Sequence, residues 1–212
     1  MVFMDVADQH GLGQSSLDYV KWGTAFFDYD NDGRADLLSI NGSTFQDPAD
    51  TRRLIPMPHQ VFWNHNDEDG FYDVAAVSGA VVTQPTVGRG AALADYDGDG
   101  DLDVVVVNHG GAASLWRNDG GNAHGWLQVT VRGGHGAVAV GAIVEVTSGG
   151  VTQRQQVGSQ PSYLSQHSST LHFGLGDHAT ADTVVVRFPD GRRAERTAVA
   201  ARQRLTLEAP AR

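Results

Sequence analysis

Asp28-Tyr-Asp30-Asn31-Asp32-Gly33-Arg34-Ala-Asp36 and Asp95-Tyr-Asp97-Gly98-Asp99-Gly100-Asp101-Leu-Asp103 place aspartate at positions 1, 3, 5 and 9 of two loops. Four carboxylates so close together repel one another unless a cation sits among them. A hard divalent ion takes an all-oxygen cage, and calcium accepts the irregular six to eight ligands that a bent loop can supply. As the backbone curls, Asp28, Asp30 and Asp32 converge, as do Asp95, Asp97 and Asp99. Position 6 is Gly33 or Gly100, where the sharp turn favours a residue free to take positive φ. Position 4 is Asn31 or Gly98, types that tolerate left-handed backbone. Position 7 offers a backbone carbonyl, from Arg34 and Asp101. Asp36 and Asp103 close the cages. Two Ca2+ sites are therefore expected.

An EF-hand needs a bidentate glutamate at position 12, where Ser39 and Val106 stand, and helices on both sides. The flanks here are short β-prone runs, Leu37-Leu-Ser-Ile40 and Val104-Val-Val-Val107 being the clearest. Both loops therefore join strands.

With 26 glycines in 212 residues and few helix-favouring runs, the composition points to an all-β protein with many turns. Nine of the 25 acidic residues lie in the two loops, and two bound calcium ions would offset four of the ten net negative charges. The acidity is thus largely a metal-site signature. Nucleic acid is disfavoured as a partner, because Lys21 is the single lysine and no basic stripe exists. Cysteine is absent, which excludes disulfides and thiolate metal sites. No apolar run approaches membrane-spanning length, and Met1-Val-Phe-Met-Asp-Val6 has no signal-peptide character.

Internal repetition extends beyond the loops. Gly23 to Asn41 aligns with Gly90 to Asn108 at an offset of 67, and Phe3-Met-Asp5-Val6-Ala7 matches Phe71-Tyr-Asp73-Val74-Ala75 at 68. A third pair, Phe62-Trp63 and Leu115-Trp116, lies at 53, which places about fourteen extra residues of the first unit in a surface excursion over 43–59. Each unit reads as strand, calcium loop, strand, connection, strand, turn, strand: a four-stranded propeller blade. Residues 1–11 read as the tail of a preceding blade, 12–79 as a blade, 80–120 as a partial blade and 121–212 as a separate domain. Two blades cannot close a ring, so N-terminal blades are expected upstream in a longer protein.

The run Phe26-Phe-Asp28-Tyr-Asp30-Asn-Asp32-Gly33-Arg-Ala-Asp36-Leu-Leu38 resembles the FG-GAP/VCBS repeat, the calcium-loop blade also found in integrin α-subunit propellers. Val61-Phe-Trp-Asn64 and Leu115-Trp-Arg-Asn118 are similar to the third-strand motif of that repeat. His65-Asn-Asp67-Glu-Asp69-Gly70 mimics the loop, but a neutral imidazole is a poor first ligand for calcium, and a hairpin turn is expected there.

Beyond the polar 118–125 stretch come short alternating segments: Trp126 to Val131, Ala142 to Thr147, Val151 to Val157, Thr170 to Phe173, Thr183 to Phe188 and Arg204 to Glu208. Such a set predicts a small β-sandwich. Gly125-Trp126-Leu127, Val140-Gly141-Ala142, Tyr163-Leu-Ser-Gln166, Leu171-His-Phe-Gly-Leu-Gly176 and Phe188-Pro-Asp-Gly191 resemble the ASPIC/UnbV domain, which follows FG-GAP/VCBS repeats in cartilage acidic protein-like and many bacterial proteins. The departures are Phe188, where tryptophan is usual, and His135-Gly136, which replaces an Asn-Arg pair.

Little in the chain reads as catalysis. His167, His172 and His178 fit no metal-ligand spacing, and Gln14-Ser15-Ser16 lacks a nucleophile-elbow frame. Asn41-Gly-Ser43 is a formal glycosylation acceptor. The reading is a non-enzymatic, calcium-stabilised binding or adhesion module for a protein or glycan ligand. An accessory region of a larger secreted enzyme is the alternative. The resemblance implies an extracellular or cell-surface setting, where weak calcium sites are filled.

Overall fold

Alternating apolar residues on both sides of the first aspartate loop make a hairpin. Strands β1 (Lys21–Phe27) and β2 (Asp36–Asn41) pair antiparallel, with Phe27 opposite Asp36 at the loop mouth. In the computed structural model, which describes every residue except Met1, Asp67, Gln160 and Arg212, this hairpin begins a four-stranded sheet. The excursion after β2 forms a small hairpin, β3 (Gln46–Asp47) and β4 (Asp50–Leu54). β5 (Gln60–Asn66) then returns to pair with β2, and β6 (Gly70–Asp73) closes the blade in the order β1-β2-β5-β6. The calcium-loop mimic falls in the β5–β6 turn, where the Asn66 side chain accepts the amides of Glu68 and Asp69; its Asp67 lies outside the described residues.

A short helix, α1 (Ala80–Thr83), leads to the second unit. Strands β7 (Gly88–Ala94), β8 (Asp103–Asn108) and β9 (Ser114–Trp116) form a three-stranded sheet in that order. The two blades stack face to face. Ala25, Phe27, Leu38, Ile40 and Val61 of the first pack against Ala91, Leu93, Val104, Val106 and Trp116 of the second. The same face of the second blade is open: Leu38 and Ile40 are 0% exposed, while their repeat partners Val105 and Val107 are 41% and 54% exposed.

Two expectations from the repeat are corrected. Leu37 faces Phe62, and its partner Val104 faces Trp116, so the third strands correspond at an offset of 54 rather than 53. A one-residue slip would turn the buried Trp116 outward. In addition, residues 2–6 form no strand, and Val2, Phe3 and Met4 are exposed, because no sheet edge lies beside them as β5 lies beside β6.

The C-terminal part is a sandwich of two sheets, formed by β10 (Gly125–Arg132), β11 (Ile143–Ser148), β12 (Val151–Gln156), β15 (Leu171–Gly176), β16 (Thr180–Arg187), β17 (Arg193–Ala200) and β18 (Gln203–Glu208). The sheet orders are β15-β10-β18 and β12-β11-β16-β17. A small hairpin, β13 (Pro161–Ser162) with β14 (Ser165–Gln166), reaches back to the blades, and Ser162 exchanges two hydrogen bonds with the Thr24 backbone. Leu127, Val129 and Phe173 from one sheet meet Val144, Val146, Val184 and Val186 from the other. Each fully buried side chain of this kind contributes roughly 1.5–3 kcal/mol. β17 is an edge strand of mostly exposed residues, and β18 runs parallel to β10.

Candidate metal centres

The first loop folds around its own carboxylates. Asp28 accepts the backbone N–H of Asp32 (3.0 Å) and of Gly33 (2.8 Å), which draws the loop into a ring, and Asn31 and Gly33 take positive φ (59° and 92°) to allow it. Oxygens of Asp28, Asp30 and Asp36 lie within 4.8 Å of one another. Trp63 Nε1 donates to Asp30 Oδ2 and fixes that side chain from the third strand. Asp32 stands apart: its carboxylate pairs with the Arg34 guanidinium at 2.5 Å.

The second loop repeats the design with a more open mouth. Asp95 accepts from Gly98 and Gly100, and the carboxylates of Asp95, Asp97 and Asp99 cluster within 4.8 Å. Gly98 and Gly100 have φ of 86° and 101°.

The closing aspartates have a second task in both blades. Asp36 accepts the N–H of Tyr29 and of Asn64; Asp103 accepts the N–H of Tyr96 and of Asn118. Each position-9 carboxylate thus ties the loop to its third strand. The latch uses the backbone amides of the two asparagines; their side chains go elsewhere, Asn64 Nδ2 to Ala35 O and Asn118 Nδ2 to Tyr29 O in the other loop.

Electrostatics favour a cation here. Burial, with repulsion from Asp32, Asp36 and Asp30, pushes the Asp28 carboxyl up to about 8 despite the Gly33 amide. Burial likewise pushes Asp36 up to about 7, against its two backbone donors. Asp32 and Asp103 are raised, again by burial first. A divalent ion would reverse these shifts, since it favours the ionised ligand. The hard oxygen donors and their convergence fit calcium. Asp28, Asp30 and Asp36 would hold it in one loop and Asp95, Asp97 and Asp99 in the other. Asp32, paired with Arg34, lies outside the first cluster, and Asp103, which makes the same two amide contacts as Asp36, lies outside the second.

The sandwich clamps both loops. Gly174 of β15 lies so close to the first that a Cβ there would collide with Asp28 Oδ2 and lie 2.6 Å from the Asn31 carbonyl carbon. A Cβ on Gly100 would collide with the Trp126 ring. Asp95 Oδ2 accepts from Gln128 (2.7 Å) and Arg204 (2.9 Å), both from the sandwich. Burial alone would raise the Asp95 carboxyl, but these partners and the Gly98 amide hold it below its ordinary value. A cleft of about 330 Å³ runs along this junction, between Asp28, Arg34, Gln153 and His172.

Three histidines are tied into the fold. His172 is buried, and burial lowers its pKa to about 4, so the ring is neutral at pH 7. His167 Nδ1 accepts the Leu93 amide, and His59 Nδ1 accepts that of Asn41. Asn41 is itself 0% exposed and donates to Pro58 O, so its sequon is closed to glycosylation in this fold.

Comparison with known proteins follows this division. Residues 28–106 match the FG-GAP-like repeat family, and residues 133–212 match ASPIC and UnbV. The chain joins an FG-GAP-like repeat region to an ASPIC and UnbV domain. Cartilage acidic protein 1 of Mus musculus and of Homo sapiens are each 32% identical to it over 126 residues. That stretch is 57% of this chain and 19% of each relative. The Xenopus tropicalis protein of the same name is 34% identical over 110 residues. The chain therefore aligns with about a fifth of the length of these relatives. The FG-GAP-like segment contains both aspartate loops, and the ASPIC and UnbV segment contains Gly174, His172 and Arg204, which clamp them. No helix among the described residues is long and apolar enough to cross a membrane.

Proposed function

We propose that this chain is a calcium-stabilised, non-catalytic binding region of an extracellular protein, presenting its FG-GAP-like and ASPIC/UnbV surfaces to a protein or glycan ligand. The observation that carries this reading is the pair of carboxylate cages held between blade and sandwich. Bound calcium would supply the positive charge that lets these clustered aspartates, Asp28 and Asp36 of them buried, stay ionised. The chain's own residues do the rest. Asp28 and Asp95 gather the loop amides, Asp36 and Asp103 latch the third strands, and Trp63 orients Asp30. The carboxylates that could otherwise act as acids or bases are engaged in these cages.

Kinship with the cartilage acidic protein 1 sequences supports an extracellular setting, where even calcium sites as weak as about 10⁻⁴ to 10⁻³ M would be filled. The test is a glycan and matrix-protein array probed with the chain in millimolar calcium and again in chelator. Calcium-dependent capture of a defined glycan or protein supports the reading. Turnover of an arrayed substrate, or capture indifferent to calcium, sinks it.

A further inference from the structure

Resting on the calcium reading above, we infer that Asn31 is a positioning residue that couples the two metal loops to each other and to the sandwich. Asn31 is position 4 of the first loop, between Asp30 and Asp32, and it is 0% exposed. Its side chain turns away from its own cage. Nδ2 donates to Gly100 O (3.1 Å) and Asp101 Oδ1 (3.3 Å), positions 6 and 7 of the second loop. Oδ1 accepts from His172 Nε2 at 2.5 Å, and the Asn31 carbonyl accepts the Gly176 amide at 2.8 Å. One residue therefore touches both loops and both ends of β15.

The geometry fixes the chemistry of each contact. Because Nδ2 faces two acceptors, the amide oxygen must face His172, so the imidazole carries its proton on Nε2. Asp101 is fully buried. Its Oδ2 has no hydrogen-bond partner, so the Asn31 amide on Oδ1 is an anchor it can ill afford to lose. The second loop cannot return the bridge, since its position 4 is Gly98.

Coupling follows mechanically. Ordering the second loop fixes the Asp101 backbone, which fixes the Asn31 amide. The Asn31 backbone in turn sets the directions of Asp30 and Asp32. Ordering paid for at one loop is then shared by the other, which is positive coupling between sites.

The test compares calcium titrations, by calorimetry, of the whole chain and of variants. Asp97→Asn disables the second loop without touching the sandwich contacts of Asp95. Asn31→Gly copies the residue of the second loop, keeping positive φ while deleting the bridge. The expected result is that Asp97→Asn weakens calcium binding at the first loop by about 5-fold or more. In the Asn31→Gly background the same substitution changes it less than about 2-fold. A first-loop affinity unchanged by Asp97→Asn, or coupling that survives Asn31→Gly, overturns the inference and leaves the calcium reading standing. Absence of any calcium binding to the unsubstituted chain overturns both. A second measurement needs no change at Asn31. In an Asp30→Asn chain, where only the second loop can load, calcium should still shift the Asn31 side-chain amide signals in a ¹⁵N spectrum. Unmoved signals would refute the coupling.

Discussion

Asn31 Oδ1 and His172 Nε2 meet at 2.5 Å across the boundary between the blades and the sandwich, and both residues are buried. A loop residue of the repeat is thus part of the core of the domain junction. Loop shape and the blade–sandwich contact meet in one cluster.

Gly174 makes that cluster possible by letting β15 approach the first loop. Gly174→Ala should cost about 1–3 kcal/mol, the usual penalty for overpacking. The added methyl collides with Asp28 Oδ2, so the sandwich must move off the loop. Limited proteolysis should show faster cleavage around residues 118–125 than in the unsubstituted chain. Equal cleavage rates and an unchanged melting temperature would mean that the junction has room which the backbone does not display.

Calcium removal should be felt by the whole chain. With free ion at about 100 times the dissociation constant, each site adds roughly 2.7 kcal/mol. For a chain of this size each kcal/mol moves the melting temperature by about 2–4 °C. Two sites therefore predict a fall on the order of 10–20 °C in excess chelator, with new protease cuts near residues 28–36 and 95–103. Identical scanning calorimetry traces in calcium and chelator would count against structural metal.

The carboxylate spacing and the alternation around it carried most of this fold, because both are local signals. Asp28 to Asp36 states its chemistry within nine residues, and Leu37 to Ile40 declares a strand without outside help. What could not be read is non-local. β17 carries Arg193-Ala-Glu-Arg-Thr, a polar run that becomes a strand because β16 offers it an edge. The one-residue difference in third-strand register depends on Val104 facing Trp116, and Asn31 looked like a turn residue until Asp101 and His172 were brought to its two ends. The one local hint was the contrast between Asn31 and Gly98 at the same loop position.

Stability without metal should depend on pH in a direction set by the raised carboxyls. Asp28 and Asp36 have folded-state pKa values of about 8 and about 7, above the ordinary carboxylate range. The folded chain then binds more protons than the unfolded one between about pH 4 and pH 8. Their contribution is fully present below the unfolded pKa and is lost as pH rises through the folded values. In chelator, the melting temperature should therefore fall from pH 5.5 to pH 8.5. In saturating calcium the fall should disappear, because the ion holds the ionised form. The same slope in both conditions would show that these carboxylates are not the metal ligands.

Asp30 and Asp36 should separate ligand from latch. Both substitutions to alanine remove a first-loop carboxylate, and both should abolish one of two calcium-binding steps. In chelator they should differ. Asp36→Ala strands the Tyr29 and Asn64 amides, at about 1–3 kcal/mol each. Asp30→Ala loses mainly the Trp63 indole bond and should cost no more than about 1.5 kcal/mol. Urea denaturation in chelator measures the gap. Equal losses would mean that the closing aspartate does not hold the third strand.

Arg204 would oppose a cation in the second loop, while it steadies Asp95 in the absence of one. Its guanidinium sits 2.9 Å from Asp95 Oδ2, an oxygen whose carboxylate belongs to the cage. A fixed positive charge beside a cation site repels the ion, whereas in chelator it compensates the buried Asp95. Arg204→Ala should therefore act in opposite directions in the two conditions. The melting temperature in chelator should drop by a few degrees, while calcium affinity at the second loop rises a few-fold. The Arg204 side chain is 55% exposed, so salt should screen much of the effect, and the affinity gain should shrink at high ionic strength. Weaker calcium binding in Arg204→Ala would instead mean that Arg204 acts by shaping Asp95 as a ligand, with its charge a lesser influence.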